Sequence, residues 1–156
     1  MLKNIFLIGI TILLTNCGYE AMHSKNKLSD TNFWITKIKF IGDRDINIKI
    51  EEKLKRYTKI QKQKTYDLIV QSIYQKETIA KDGKGDPSIF EIRINGVAQV
   101  TDRDSVKVQI PFKKNFKYNN DKSRFEQNRY EKEIKENLAE TISNEIILKL
   151  SNLKWF

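Results

Sequence analysis

The 156-residue sequence contains few residues of the kinds that form cross-links, metal sites or catalytic nucleophiles. It has one cysteine, Cys17, and one histidine, His23. A lone cysteine cannot form an intramolecular disulfide, and a histidine without a second histidine or a cysteine nearby does not complete a zinc site. Cys-x-x-Cys, Gly-x-Ser-x-Gly and glycine-rich phosphate-binding motifs are absent. We therefore expect no enzymatic activity, no cofactor and no bound metal.

Long apolar runs are also missing, apart from one short segment near the N-terminus. Residues 5–14 are apolar except for Gly9 and Thr11, and Lys3 precedes them. This run of ten residues is too short to span a bilayer, which needs about 20 residues. It has the charge and length of a cleaved secretory signal. The following tetrad, Leu14-Thr15-Asn16-Cys17, resembles a bacterial lipobox, in which the cysteine is diacylated.

This N-terminal pattern predicts a lipid-anchored protein. We expect residues 1–16 to be a signal peptide, Cys17 to carry the lipid, and residues 17–31 to form a flexible tether that includes His23. Gly18 stands where an aspartate would retain such a lipoprotein in the inner membrane. The expected location is therefore the periplasmic face of the outer membrane. The alternative is an ordinary signal peptide followed by a chance cysteine.

The charge balance indicates a negatively charged partner. Removal of residues 1–16 leaves 140 residues, with 28 basic against 20 acidic side chains because Lys3 is lost, a formal charge of +8. Such an excess attracts anions, and the outer membrane offers lipid phosphates and lipopolysaccharide. Nucleic acid is not expected in that compartment. The alternative is that the lysines only keep the protein soluble. Residues 32–156 are long enough for a single stable domain.

Apolar periodicity divides residues 32–156 into six elements. Residues 33–41, 65–77, 89–101 and 106–118 alternate apolar and polar side chains, which predicts β-strands. Residues 46–57 and 124–153 repeat apolar residues at helical spacing, and Asp43 or Asp45 can cap the first helix. Short turns between the last three strands imply antiparallel pairing. We predict an α+β two-layer sandwich: a four-stranded, mostly antiparallel sheet with two helices on one face, in the order β-α-β-β-β-α.

The same alternation predicts which side chains face the core. In the second strand Ile69 and Ile73 lie opposite the main apolar set, so both faces of that strand are expected to be partly covered. In the long helix Leu138 and Ile142 belong to the apolar stripe. The predicted inward residues of the first and last strands are Trp34, Thr36, Ile38 and Phe40, and Val106, Val108, Ile110 and Phe112.

Four segments and their order resemble the lipopolysaccharide-assembly lipoprotein family, called LptE or RlpB. The segments are Cys17-Gly18-Tyr19, residues 38–44 before the first helix, Tyr66-Asp67-Leu68-Ile69-Val70 in the second strand, and residues 139–150 in the closing helix. The resemblance implies the same six-element sandwich and a non-enzymatic role. It implies a subunit that plugs a lipopolysaccharide-export β-barrel of the LptD type, helps that barrel to assemble, and binds lipopolysaccharide.

No short family motif marks the lipopolysaccharide-binding surface, so the candidates come from the residues alone. We predict a basic patch on the outward side of the third and fourth strands, chiefly Arg93, Lys107, Lys113 and Lys114, with Lys117 beside them. Cations there would contact phosphates, while interleaved aromatic rings would contact acyl or sugar surface; the rings are Phe112, Phe116 and Tyr118. The alternative places Phe112 and Phe116 in the core and makes the lysines protection of an edge strand against aggregation.

Two other functions are compatible with the same architecture, because a fold does not determine a function. One is a structural lipoprotein that supports another envelope assembly complex. The other is a small periplasmic enzyme. The glycine-containing turn at residues 81–86 lacks the EF-hand spacing, and the turn Asp102-Arg103-Asp104 is more typical of a local ion pair than of acid–base chemistry.

Overall fold

The structure is a computed structural model that describes residues 31–102, 105–120 and 123–153. The predicted signal peptide, Cys17 and the tether lie outside these residues. The elements are β1 (Phe33–Gly42), α1 (Arg44–Leu54), a 3-10 turn (Lys55–Thr58), β2 (Lys64–Lys81), β3 (Pro87–Asp102), β4 (Ser105–Asn119) and α2 (Arg124–Asn152).

The four strands form one mixed sheet in the order β1-β2-β3-β4. β1 runs parallel to β2, because α1 carries the chain back across the sheet between them. β2, β3 and β4 pair antiparallel through short connections. The predicted fold class and element order are therefore confirmed.

Side-chain caps begin both helices. The carboxylate of Asp43 accepts a hydrogen bond from the backbone N–H of Ile46 (3.0 Å), as predicted for the first helix. The Ser123 hydroxyl accepts a hydrogen bond from the backbone N–H of Glu126 and donates one to the Glu126 carboxylate (3.2 Å). Each cap satisfies backbone donors that have no partner within the helix.

The core lies between the two helices and the sheet face that they cover. The apolar stripes of α1 and α2 pack on alternate side chains of β2 and β3, as the periodicity predicted. The fully buried residues of the core are Ile35 of β1, Ile46, Ile50 and Leu54 of α1, Tyr66, Leu68 and Val70 of β2, Ile92, Ile94, Ala98 and Val100 of β3, and Ala139, Ile142, Ile146 and Leu150 of α2. Leu138 is only partly buried at the edge of this cluster.

A β-bulge at Thr36 changes the face that β1 presents to the core. Ile35 pairs with Tyr66 and the next pair is Lys37 with Asp67, so Thr36 is an extra residue in β1. Phe33 and Ile35 before the bulge are buried, and the core also contacts Ile38 and Phe40 after it. The predicted inward positions of Trp34 and Thr36 are therefore wrong, because an extra residue reverses the alternation.

A second irregularity moves Val106 out of the predicted inward set. Val108 pairs with Val100, but Val106 pairs with Thr101, which leaves Lys107 as an extra residue. Val106 is consequently on the side opposite to the helices and is 46% exposed. Further along β4, Val108, Ile110 and Phe112 contact or join the core as predicted.

Candidate functional site

The sheet surface opposite to the helices, called the outer face below, is the predicted site of ligand contact. Its middle consists of three rows of paired residues across the strands. No helix within residues 31–102, 105–120 and 123–153 packs on it. The rows are Ile41, Gln71, Val97 and Pro111, then Ile73, Asn95 and Lys113, then Gln75, Arg93 and Asn115.

Arg93 is on the outer face as predicted, but carboxylates on both sides already neutralise it. Its guanidinium pairs with Glu77 across the β2–β3 ladder (2.8 Å) and with Glu91 on its own strand. The Asn115 amide also donates to Glu91 (2.9 Å). This hydrogen bond and Arg93 together hold the pKa of Glu91 below its usual value. A cation held in this way is less available to a phosphate than a free lysine.

Lys114 is not on the outer face. It pairs with Ile94, whose side chain is in the core, and its ammonium contacts Glu145 of α2 at 2.7 Å. Consecutive residues of a strand point to opposite faces, so Lys113 and Lys114 cannot both point outward. The prediction that Lys114 points outward is therefore wrong, and its ammonium links β4 to α2.

The three aromatic residues of β4 also lie on the helix-covered side. Phe112 and Tyr118 are buried, and ring atoms of Phe112 fill the space where a side chain at Gly96 would lie. Phe116 is 40% exposed and meets the Tyr130 ring of α2 edge-on at 6.5 Å between centroids. The predicted interleaving of rings and cations on one surface is therefore wrong, and the alternative that placed Phe112 in the core is correct.

Lys107 and Lys113 remain as exposed cations of the predicted set. Within the part of the chain that the structure describes, neither makes a side-chain hydrogen bond or ion pair. Their contact with lipopolysaccharide stays a prediction. Lys117 lies across the ladder from Glu91 and lowers the pKa of that carboxyl by its charge.

An apolar strip on the outer face was missed by the sequence reasoning. Ile73 is 61% exposed, and Ile41 and Pro111 are also exposed, so the outer face of β2, which was expected to be partly covered, is open to solvent at Ile73. The strip includes Ile41, Val97 and Pro111, with Gln71 of β2 between Ile41 and Val97, and it adjoins Lys113 through Ile73 and Asn95. Its signal in the sequence was Ile73 itself, an isoleucine on the polar side of an alternating strand.

The groove between the helices offers no catalytic arrangement. It has a volume of about 620 Å³ and is lined by acids and lysines of α1 and α2. Lys49 contacts both Glu52 (3.2 Å) and Glu136 (3.7 Å), which raises the pKa of its ammonium. Among the described residues no three acids, histidines or cysteines converge in a way that could hold a metal ion.

Two tyrosines near this groove, Tyr74 and Tyr118, have raised pKa values. The Glu131 carboxylate accepts a hydrogen bond from the Tyr118 hydroxyl (2.6 Å). It also forms an ion pair with the Lys76 ammonium (2.5 Å). Burial and then the Glu131 charge raise the pKa of Tyr118 above its ordinary value, and the same causes raise the pKa of Tyr74 to about 12. A catalytic base needs a pKa near the working pH. These shifts move the pKa values of both tyrosines further above neutral pH, away from that range.

Comparison with solved structures identifies the class of fold. The chain resembles rare lipoprotein B from Shewanella oneidensis, with a TM-score of 0.57 and 10% identity over 74% of this chain and 93% of that one. It also resembles a minor lipoprotein from Acinetobacter baumannii, with a TM-score of 0.52 and 15% identity over 73% and 92% of the two chains. No protein-family model and no curated protein sequence matches the chain.

These similarities establish a fold shared with bacterial lipoproteins. The particular fold is that of rare lipoprotein B, so the resemblance first drawn from short sequence segments is confirmed in three dimensions. Neither helix in the described part of the chain has the length and apolarity needed to cross a bilayer.

Proposed function

We propose that this chain is an outer-membrane lipoprotein subunit of the lipopolysaccharide transport and assembly machinery, which binds an LptD-type export barrel and lipopolysaccharide. The observation that carries the proposal is the shared fold with rare lipoprotein B over 93% of that chain. The lipobox-like tetrad ending at Cys17 is the second support, because a fold alone does not determine a function.

The outer face has the chemistry that an amphipathic, phosphorylated glycolipid requires. Lys113 and Lys107 supply unpaired cations, while Ile73 and Val97 supply apolar surface a few ladder positions away. Lysine binds phosphate as a point charge, and the apolar strip gains free energy when an acyl chain removes it from water. We assign lipopolysaccharide contact to Lys107 and Lys113 with this strip.

Reversing Lys107 and Lys113 to glutamate tests the assignment. We expect lipopolysaccharide affinity to fall by about tenfold at low salt, because two exposed ion pairs of up to about 1 kcal/mol each are lost. The loss should shrink as salt is added, since exposed charges are screened. Lys81→Glu with Lys84→Glu, which makes the same charge change at the end of β2 and in the turn that follows it, should retain wild-type affinity. Equal losses in the two double variants would mean that net charge alone attracts the ligand.

The lipid anchor is tested by the intact mass of the protein purified from membranes. We expect the loss of residues 1–16 and the addition of a diacylglycerol group at Cys17, because two acyl chains give stable anchoring where one is marginal. A Cys17→Ser variant should be released in soluble form or retain its signal segment. An unmodified Cys17 in the wild-type mass spectrum would contradict the anchor.

Copurification in mild detergent tests the barrel partner. We expect one large outer-membrane barrel protein to accompany the chain in a stoichiometric complex. Several lipoproteins in place of a single export barrel would instead support the structural role in another envelope complex. The assay needs no assumption about lipopolysaccharide contact, so the two parts of the proposal can fail separately.

A further inference from the structure

The segment that joins α1 to β2 is the most basic part of the chain. From residue 53 to residue 66 the sequence contains six cations and no acid. We call residues 53–64 the basic loop; its cations are Lys53, Lys55, Arg56, Lys59, Lys62 and Lys64. It comprises the end of α1, the 3-10 turn and the stretch that leads into β2.

Most of these cations are not neutralised by the fold. Lys53 pairs with Glu140 (2.6 Å), and the Lys64 ammonium donates to the backbone carbonyl of Leu153 (3.3 Å). Within residues 31–102, 105–120 and 123–153, Lys55, Lys59 and Lys62 make no side-chain hydrogen bond or ion pair. The remaining cation, Arg56, is exposed and lies over the ring of Tyr57 at 5.1 Å.

An exposed apolar side chain lies among these charges. Ile60 is 65% exposed and is flanked by Lys59 and Lys62. An isolated exposed isoleucine is ordinary on a protein surface. Between unpaired lysines, however, it has the composition of segments that lie on membranes, in which cations contact lipid phosphates and an apolar side chain enters the headgroup boundary.

The basic loop is attached firmly to the start of β1. Tyr57 is buried and stacks on Phe33, the first residue of β1, with ring centroids 5.0 Å apart. The Trp34 indole donates a hydrogen bond to the backbone carbonyl of Thr58 (3.2 Å). Phe33 also pairs with Lys64 in the parallel ladder. The chain therefore enters the folded body directly beside the basic loop.

This position relates the loop to the membrane. If Cys17 is the anchor, residues 18–32 connect the lipid to β1 and can span at most about 50 Å. The chain enters the body at the end that carries the basic loop, so the tether joins the body at that end. β3 ends and β4 begins at the same end of the sheet, because β3 runs antiparallel to β2 and β4 runs antiparallel to β3.

We propose that the basic loop docks on the anionic phospholipid surface of the membrane to which the chain is anchored, with Lys55, Arg56, Lys59 and Lys62 at the phosphates and Ile60 at the acyl boundary. This inference rests on the anchored location in the proposed function. The contact orients the body, because a tether restricts only distance whereas a second attachment restricts rotation. It leaves the outer face of the sheet free for other partners.

Vesicle sedimentation with a chain that begins at Gly18 tests the docking. This chain lacks the acyl group but keeps every described element and the whole core. We expect binding to vesicles that contain phosphatidylglycerol and not to vesicles of phosphatidylcholine alone. Lys59→Glu with Lys62→Glu should weaken that binding by at least tenfold, since each cation near an anionic surface contributes severalfold. Ile60→Ser should weaken it by a smaller factor, and the Lys81→Glu, Lys84→Glu pair should bind as the wild type does.

Two results would overturn the inference. One is equal weakening of vesicle binding by the loop pair (Lys59→Glu with Lys62→Glu) and by the control pair (Lys81→Glu with Lys84→Glu). That result would mean that net charge alone causes the binding. The other is wild-type binding by the loop pair, once its thermal unfolding has shown that it is folded. Neither result bears on the proposed function, which is tested by the mass of Cys17 and by barrel copurification of the full lipidated chain. Conversely, an unmodified Cys17 would defeat the anchor while leaving vesicle binding by the loop measurable.

Discussion

Replacing Ile142 with alanine is expected to lower the free energy of unfolding by about 2–5 kcal/mol. Ile142 is fully buried in the middle of α2, where it joins the core between the helices and the sheet. Truncation removes apolar contacts and leaves a cavity that rigid neighbours on the sheet cannot fill. Denaturant unfolding of the purified body measures the loss, with an unchanged m-value showing that the same cooperative unit unfolds.

Leu138 provides the matched control one helical turn earlier. It belongs to the same stripe, but it is only partly buried at the edge of the core. Leu138→Ala should therefore cost about half as much as Ile142→Ala or less, because neighbouring side chains and water can occupy the space. Similar losses in the free energy of unfolding at Leu138 and Ile142 would contradict the way in which α2 packs on the sheet.

Replacing Gly42 with alanine is expected to destabilise the fold strongly. Gly42 has a φ of +103°, which L-residues with a side chain rarely adopt. An added Cβ would lie 1.8 Å from the backbone oxygen of Ser72. That oxygen accepts a hydrogen bond from the N–H of Asp43 (3.1 Å), the residue that caps α1. Relieving the clash would break this bond and displace the cap, so we expect a loss of more than about 2 kcal/mol.

Gly83 is the appropriate comparison for that substitution. It lies in the turn between β2 and β3, and nothing is within 4 Å of the position that its Cβ would occupy. Gly83→Ala should change stability by about 0.5 kcal/mol or less, the usual size for an exposed position. Unfolding of both variants under the same conditions separates the specific junction at Gly42 from the general effect of replacing a glycine. A Gly42→Ala protein as stable as Gly83→Ala would contradict the geometry of the β1–α1 junction.

The polar contact beside Gly42 explains why this junction has a defined geometry. Ser72 donates a hydrogen bond from its hydroxyl to the Asn47 side chain (2.8 Å), and both side chains are buried. The Asn47 amide donates in turn to the carbonyl of Ile41 (3.2 Å) at the end of β1. Buried polar groups are costly unless they are paired, so this chain of bonds favours one crossing of α1 over the sheet.

The two proposed surfaces can be separated by exchanging the assays between their variants. Lys113 lies on the outer face and Lys107 is the extra residue of the edge strand β4, whereas Lys59 and Lys62 lie in the basic loop beside the start of β1. The Lys107 and Lys113 double variant should weaken lipopolysaccharide binding and leave binding to phosphatidylglycerol vesicles close to wild type. The loop pair should show the reverse pattern. Both pairs change the charge by the same amount, so a crossed result excludes net charge as the cause.

The local sequence was sufficient to predict the helices and strands, because the apolar residues of each element recur at the spacing of that element. Ile46, Ile50 and Leu54 follow the helical repeat, and Ile92, Ile94 and Val100 follow the strand repeat. These periods depend only on backbone geometry, so they identify each element before any packing is known. Bulges have no such signal. An extra residue at Thr36 or Lys107 changes the face of its neighbours, and it is defined by pairing with a strand that is distant in sequence.

The candidate site was predicted less well than the fold, for a related reason. Charge and position in the sequence do not show which cations already have partners. Arg93 is paired by Glu77 of a neighbouring strand, and Lys114 is paired by Glu145 of a helix that begins after β4 ends. Both partners are selected by strand register and helix placement, which only the assembled structure contains.

The sequence by itself determined the order of the elements and the two-layer α+β class, because periodicity and turn residues act locally. The resemblance to the LptE or RlpB family came separately, from four short segments and their order. Only the tertiary structure decided which lysines are unpaired, and it brought the basic loop beside the start of β1. That closeness arises from the parallel pairing of Phe33 with Lys64 and the stacking of Phe33 on Tyr57. Both contacts join residues more than twenty positions apart, a distance over which no local pattern carries information.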